Sequence, residues 1–202
     1  MTFLLIHGSF STPNDSWLPW LSSKLKKLGK MYTPAFPVDR WSEVGDLEVS
    51  VYNPSQDLEG WFKKFEEIKQ KVLQDSDLCI VAHSIGPLFT LHLVEKYHIK
   101  VKHAFFVAPF FEIYGKSAIV EKANATFYKK DFDFAKMRSA ITNSSVIYSD
   151  DDPYVNEEKS LDFANKVGSK IIKLSGLGHM GIESNLKEFP ILLELIEREL
   201  QV

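Results

Sequence analysis

Residues 78–97 read Leu78-Cys79-Ile80-Val81-Ala82-His83-Ser84-Ile85-Gly86-Pro87-Leu88-Phe89-Thr90-Leu91-His92-Leu93-Val94-Glu95-Lys96-Tyr97. Leu78 to Ala82 is an unbroken apolar run of strand length, as expected for a strand covered on both faces. Pro87 to Tyr97 reads as a helix. Between them lies a short turn, with Ala82 and Gly86 on either side of Ser84. Small residues at those two positions let a strand and the following helix approach closely.

The same alternation extends in both directions. Phe3-Leu4-Leu5-Ile6 is a short buried strand ending in His7-Gly8. Trp17 to Lys30 carries Trp17, Leu18, Leu21, Leu25 and Leu28 at helical spacing and stops at Gly29. Met31 to Pro37 reads as a second strand, Leu58 to Leu73 as a helix, and Val101 to Ala108 as a fourth strand. Ser145 to Tyr148 is a fifth strand, Asn156 to Val167 a helix, Lys170 to Leu174 a sixth strand, and Leu186 to Leu200 a closing helix. Apolar strands separated by amphipathic helices predict an α/β fold, a three-layer sandwich with a mostly parallel six-stranded sheet.

One segment breaks the rhythm. Residues 109–144 separate the fourth and fifth strands and carry Phe110, Phe111, Tyr114, Phe127, Tyr128, Phe132 and Phe134. An insertion of this length reads as a small helical cap over the strand ends within a single domain spanning 1–202. An ordinary long crossover helix with packed aromatics is the alternative.

Composition narrows the function. The 202 residues are 45% hydrophobic and 25% charged, with a formal net charge of −3. This describes a globular domain long enough to bury a sizeable core without metal or disulfide staples. The acidic balance offers no basic face for nucleic acid, and no polybasic helix or long apolar run suggests a membrane. Cys79 is the single cysteine, so no intrachain disulfide forms, and its apolar strand predicts a buried thiol. Met1 to Ile6 lacks the features of a signal peptide, so a cytoplasmic location is expected and the sequons at Asn14, Asn124 and Asn143 are read as chance.

The chemistry is carried by four parts. A strand–turn–helix of this kind holds a serine on a sharp, exposed turn, which makes Ser84 a candidate nucleophile rather than a helix cap. A serine hydroxyl needs a base and a partner that orients the base. After the fifth strand comes Asp150-Asp151-Asp152-Pro153-Tyr154-Val155. After the sixth comes Gly176-Leu177-Gly178-His179-Met180-Gly181. The order Ser, Asp, His, each after a later strand, suits this arrangement, with His179 as base on a glycine-rich, flexible loop. Among the three acids Asp152 is favoured, because Pro153 biases it to an extended backbone that aims its side chain across the sheet end. The backbone N–H of Ile85 is one expected oxyanion donor; the other is that of Ser9 or Phe10, in the loop after the first strand. His7 is expected to brace that loop, and His83 to point away from Ser84. His92, His98 and His103 show no ligand spacing, so neither a metal nor a cofactor is implied.

With His7-Gly8, Ala82-x-Ser84-x-Gly86, Asp152-Pro153 and Gly178-His179 in view, the chain resembles the α/β-hydrolase superfamily. More narrowly it resembles the retinoblastoma-binding protein 9 family of small serine hydrolases. Trp17 and Trp20 in the first helix, Phe127-Tyr128-Lys129-Lys130-Asp131-Phe132-Asp133-Phe134 before the acid strand, and Asp151-Asp152-Pro153-Tyr154 carry that likeness. The resemblance implies a compact α/β-hydrolase fold, a six-stranded parallel sheet without the usual N-terminal antiparallel strands, and Ser84, Asp152 and His179 as catalytic residues. Two features depart from the family pattern. Ala82 stands where a glycine is usual, and Ser9 to Asn14 lacks a run of glycines. The Leu-x-Cys-x-Glu motif of the vertebrate member is also absent, so no retinoblastoma-type protein partner is implied.

The expected activity is transfer of a small acyl group to water without a cofactor. Trp17, Phe110 and Phe127 stand as candidate contacts for an apolar acyl or aromatic substrate. A thioesterase or acyltransferase with the same residues is an alternative. A non-catalytic interaction module that keeps the fold is another.

Overall fold

The computed structural model describes residues 1–74 and 76–201. Its elements in chain order are β1 (Thr2–Ile6), α1 (Leu18–Leu25), β2 (Lys30–Tyr32), α2 (Trp41–Val44), α3 (Leu58–Glu66), α4 (Lys69–Val72), β3 (Leu78–His83), α5 (Gly86–Tyr97), β4 (Val101–Val107), α6 (Ala118–Asn124), α7 (Phe134–Ala140), β5 (Ile141–Ser149), α8 (Glu157–Val167), β6 (Lys170–Leu174) and α9 (Pro190–Leu200). The strands form one sheet in the order β2-β1-β3-β4-β5-β6, and every pairing is parallel.

The continuous apolar runs of β1 and β3 are explained by two covered faces, since every residue of both strands is buried. Successive side chains alternate between those faces. Leu4, Ile6, Ile80 and Ala82 join Trp61, Phe65, Phe89, Phe106 and Phe163 on the side of α3, α5, α7 and α8. Phe3, Leu5, Cys79 and Val81 join Trp17, Leu21, Phe189, Leu192 and Ile196 on the side of α1 and α9. Each large apolar side chain so placed contributes about 1.5–3 kcal/mol relative to exposure. Three layers result, as the sequence predicts. Cys79 is buried, and that burial pushes its thiol pKa up.

Several boundaries differ from the sequence reading, among them β5, which begins at Ile141 rather than Ser145. α1 ends at Leu25 rather than running to Gly29, because Lys27 and Leu28 bond back three residues in a tighter turn. β2 is limited to Lys30–Tyr32, since Pro34 removes a ladder donor and biases Thr33. The closing helix starts at Pro190, whose ring suits the first helical position, and not at Leu186.

The inserted segment divides in two. α6 packs Ile119 and Ala123 against Val44, Tyr52 and Phe10. α7 is instead a crossover helix against α5 and α8, tied to α8 by an Arg138 Nη1 bond to the Lys166 carbonyl at 2.6 Å.

The chain leaves β1 outward to β2, returns to β3, and then proceeds to the opposite edge. The direction reverses between β1 and β3, where open parallel sheets place ligand crevices. The register Ile6↔Ala82 sets the His7-Gly8 exit beside the His83-Ser84 exit.

Candidate active site

Ser84 sits on that exit with φ +60, a left-handed conformation that costs a non-glycine residue roughly 1–2 kcal/mol. The surroundings hold it there. Its N–H donates to the Val107 carbonyl at 2.9 Å, and α5 begins two residues later. A Cβ at Gly86 would fall 2.9 Å from Ile6 Cγ2 and 3.1 Å from the Ile6 carbonyl oxygen, so only glycine fits. The same hypothetical atom would lie 3.3 Å from Ala82 Cβ, so β3 and α5 approach closely at this pair.

Ser84, His179 and Asp152 are brought together from three separate strand exits. His179 Nε2 lies 3.0 Å from Ser84 Oγ, and His179 Nδ1 lies 2.7 Å from Asp152 Oδ2. The other Asp152 oxygen accepts the N–H groups of Tyr154 at 2.8 Å and Val155 at 2.9 Å. Burial pushes the Asp152 carboxyl up. The hydrogen bond and charge of His179, with those two N–H groups, outweigh it and hold the carboxyl below the ordinary carboxylate range. Asp152 is therefore ionised, and its negative charge favours a proton on the facing His179 Nδ1. That tautomer leaves Nε2 free to accept from the serine hydroxyl. Ser84 and His179 are each 8% exposed.

The neighbouring acids do other work. Asp151 Oδ1 accepts from Ser149 Oγ at 2.6 Å and from the Gly178 N–H at 2.9 Å. Asp150 Oδ2 accepts from Ser175 Oγ at 2.8 Å.

The histidine loop is held rather than flexible, which corrects the expectation from its glycines. Leu177 N–H donates to Ser149 Oγ, and the carbonyls of His179, Met180 and Gly181 accept from His83, Trp17 and Ser16. The glycines serve conformation: Gly176 and Gly178 have φ of +75 and +56.

The loop after β1 passes directly under Ser84. A Cβ at Gly8 would fall 2.9 Å from Ser84 Cβ and 3.0 Å from His83 Nδ1. His7 braces the loop as expected: Nδ1 donates to the Gly8 carbonyl at 2.9 Å, and Nε2 accepts the Phe36 N–H at 3.0 Å. Burial pushes the His7 ring down to about 4, so it stays neutral and keeps that tautomer. Among the described residues, no acceptor takes the N–H of Ser9, Phe10 or Ile85. Ile85 precedes the first residue of α5, and Ser9 and Phe10 follow Gly8 in the loop after β1.

The three aromatic residues expected to touch substrate do not reach the site surface. Trp17, Phe110 and Phe127 are each fully buried. Trp17 lies beneath the histidine loop, donating Nε1–H to the Met180 carbonyl at 2.8 Å with its ring edge against His83 and Phe189. Phe127 packs on Trp61 and Phe89, and Phe110 belongs to the same core. The open aromatic faces belong to other residues. Tyr154, 38% exposed, sets its ring edge-on to His179 at 5.3 Å. Phe10 stands edge-on to the exposed Trp41 at 5.2 Å. Position in the acid loop and in the loop after β1 was the available signal for Tyr154 and Phe10; Trp41 had none.

An all-parallel six-stranded sheet with helices on both faces and a serine on the turn after its third strand defines the α/β-hydrolase fold. Solved structures share it. The ydeN gene product from B. subtilis superposes with a TM-score of 0.77 at 20% identity, covering 100% of this chain and 99% of that one. Alpha/beta hydrolase domain-containing protein 10 from mouse gives 0.61 at 14% identity, over 99% and 89% of the two chains. A thermophilic esterase from Thermogutta terrifontis gives 0.67 at 10% identity, over 100% and 89%. In sequence, YdeN of Bacillus subtilis (strain 168) is 23% identical over 193 residues, 95% of this chain and 92% of that protein. Residues 3–198 match the serine hydrolase family, and the chain belongs to it.

Proposed function

We propose that this serine hydrolase cleaves a small acyl ester or related carbonyl compound through an acyl-enzyme formed on Ser84. The observation that carries the reading is the unbroken hydrogen-bonded line from Asp152 through His179 to Ser84. The Ser84 oxygen attacks the carbonyl carbon while its proton passes to His179 Nε2, and the carbonyl oxygen takes the negative charge. The N–H of Ile85 and that of Ser9 or Phe10 stabilise this oxyanion. Collapse expels the alcohol, which takes the proton from His179. Water then attacks the acyl-serine, giving its proton to His179, and the acid leaves as the Ser84 hydroxyl is restored. Asp152 remains a carboxylate throughout and holds the imidazolium.

The partly exposed Tyr154 ring, edge-on to His179 at 5.3 Å, supports a short acyl group with an apolar or aromatic portion. Proteins that share this fold include an esterase from Thermogutta terrifontis and two metagenome-derived lipolytic enzymes, which agrees with ester chemistry. Turnover of p-nitrophenyl acetate and butyrate by wild type and Ser84→Ala tests the reading. A loss of roughly 10⁴-fold or more in the variant supports it, because triad members act as a unit. Equal turnover by both proteins overturns it.

A further inference from the structure

α6 is joined to the loop after β1 by a buried polar cluster. Ser9 Oγ donates to Asn124 Oδ1 at 2.6 Å. Gln56 Nε2 donates to the same Asn124 oxygen at 2.7 Å, to Ser9 Oγ at 3.1 Å and to the Ala123 carbonyl at 3.3 Å. Gln56 and Asn124 are each 1% exposed. Three acceptors surround Gln56 Nε2, which fixes the orientation of its amide; the reverse would set two carbonyl oxygens against each other. That burial agrees with reading the Asn124 sequon as chance, and Thr126 uses Oγ1 to accept the Leu58 N–H at 3.0 Å.

Ser9 and Phe10, the two residues proposed above to offer an oxyanion N–H, follow Gly8, which abuts Ser84, and both contact α6. Ser9 is held through its hydroxyl by Asn124. Phe10, at φ +56, is held through its ring by Ile119 and Ala123 together with Val44 and Tyr52. A non-glycine residue in that conformation persists only where its surroundings impose it. From below, Gly8 abuts Ser84 and His7 anchors the loop to Phe36. The loop is thus fixed from beneath by its own strand and from above by a helix more than 100 residues away in the chain.

We infer that Asn124 is a positioning residue for the oxyanion site: through Ser9 Oγ it sets the loop whose N–H stabilises the negative charge. The inference rests on the acyl-hydrolase reading above. Asn124 touches neither substrate nor Ser84, and acts only by fixing where the N–H of Ser9 or Phe10 points. Donors of this kind act on the transition state, so a displaced loop lowers kcat while leaving KM nearly unchanged.

The test is a double-mutant cycle of Ser9→Ala and Asn124→Ala, with p-nitrophenyl acetate turnover and thermal melting read together. Each single variant is expected to lose roughly 10- to 100-fold in kcat, less than removal of a donor itself, with KM within about threefold. The double variant is expected to lose no more than the worse single, because both remove one bond. A purely structural role would shift melting and leave kcat intact. Should Asn124→Ala fail to fold, Ser9→Ala decides alone, since Gln56 and Asn124 remain bonded to each other. Unchanged kcat in Ser9→Ala, or losses that multiply in the double variant, overturns the inference while the hydrolase reading stands. Absence of turnover in wild type overturns both.

Discussion

His83 Nε2 lies 2.9 Å from the backbone carbonyl of His179, so the residue before the serine holds the loop that carries the base. A carbonyl only accepts, which makes Nε2 the protonated nitrogen of His83. Burial, with the charge of His179 second, pushes its ring pKa down to about 3, so the ring is neutral and this donor is always present. His83→Phe should lower kcat/KM by about 10- to 100-fold, since a buried hydrogen bond left half-made costs about 1–3 kcal/mol. His83→Gln, which keeps a donor at similar reach, should recover much of the loss. Equal activity of His83→Phe and wild type would show that the loop holds its place without this bond.

Acid should destabilise the fold before carboxylates are neutralised. His7 and His83 titrate at about 4 and about 3 in the folded chain, both pushed down chiefly by burial from an ordinary 6.5. Their stabilising contribution is complete above about pH 6.5. As pH falls below that value the unfolded chain binds protons the folded chain refuses, so stability falls by up to about 1.4 kcal/mol per pH unit for each histidine. Carboxylates held low, such as Asp152, add to the loss only below about pH 4. Urea unfolding at pH 7.5, 6.0 and 4.5 checks this. A free energy that stays level from 7.5 to 4.5 would contradict the neutral assignments.

The three consecutive acids should separate cleanly. Asp152→Asn should lower turnover on the order of 10⁴-fold, because the asparagine no longer fixes the His179 tautomer. Asp151→Asn should show a smaller loss through the Gly178 N–H it holds, and Asp150→Asn almost none. All three are measured in one ester assay. A deep loss at Asp150 or Asp151 with an active Asp152→Asn would reassign the partner of His179.

Packing at the serine turn predicts a size limit on two sides. Ala82→Gly should preserve activity, whereas Ala82→Val should cost about 1–3 kcal/mol by wedging β3 from α5. Gly8→Ala should be worse for activity than for stability, because its Cβ would press on Ser84 Cβ and His83 rather than on the core. Melting temperatures and ester turnover of the three variants decide. A fully active Gly8→Ala would mean that the loop after β1 can retreat from the serine.

The strands were legible because residues buried on both faces leave continuous apolar runs, as in 3–6 and 78–82. The meeting of Ser84, Asp152 and His179 was legible for a related reason: each follows a strand, and parallel strands release their following loops at one end. The aromatic residues were misread because composition reveals that Trp17, Phe110 and Phe127 are apolar but not which way they face. All three point into the core, and the exposed aromatic area near the site falls to Tyr154 and Trp41. The Gln56–Asn124 pair left no trace in the sequence. Its members are 68 residues apart, polar, and not part of any periodic pattern. The break of the helix expected over 58–73 into α3 and α4 has no sequence signal that we can identify.

The claim that Ser84 is the nucleophile is tested most directly by covalent capture. Wild type, Ser84→Ala and His179→Ala are treated with a fluorophosphonate probe, and the adduct is located by peptide mass spectrometry. The account predicts one adduct on wild type, carried by Ser84, none on Ser84→Ala, and strongly slowed labelling of His179→Ala. An adduct on another residue, or equal labelling of wild type and Ser84→Ala, would contradict it.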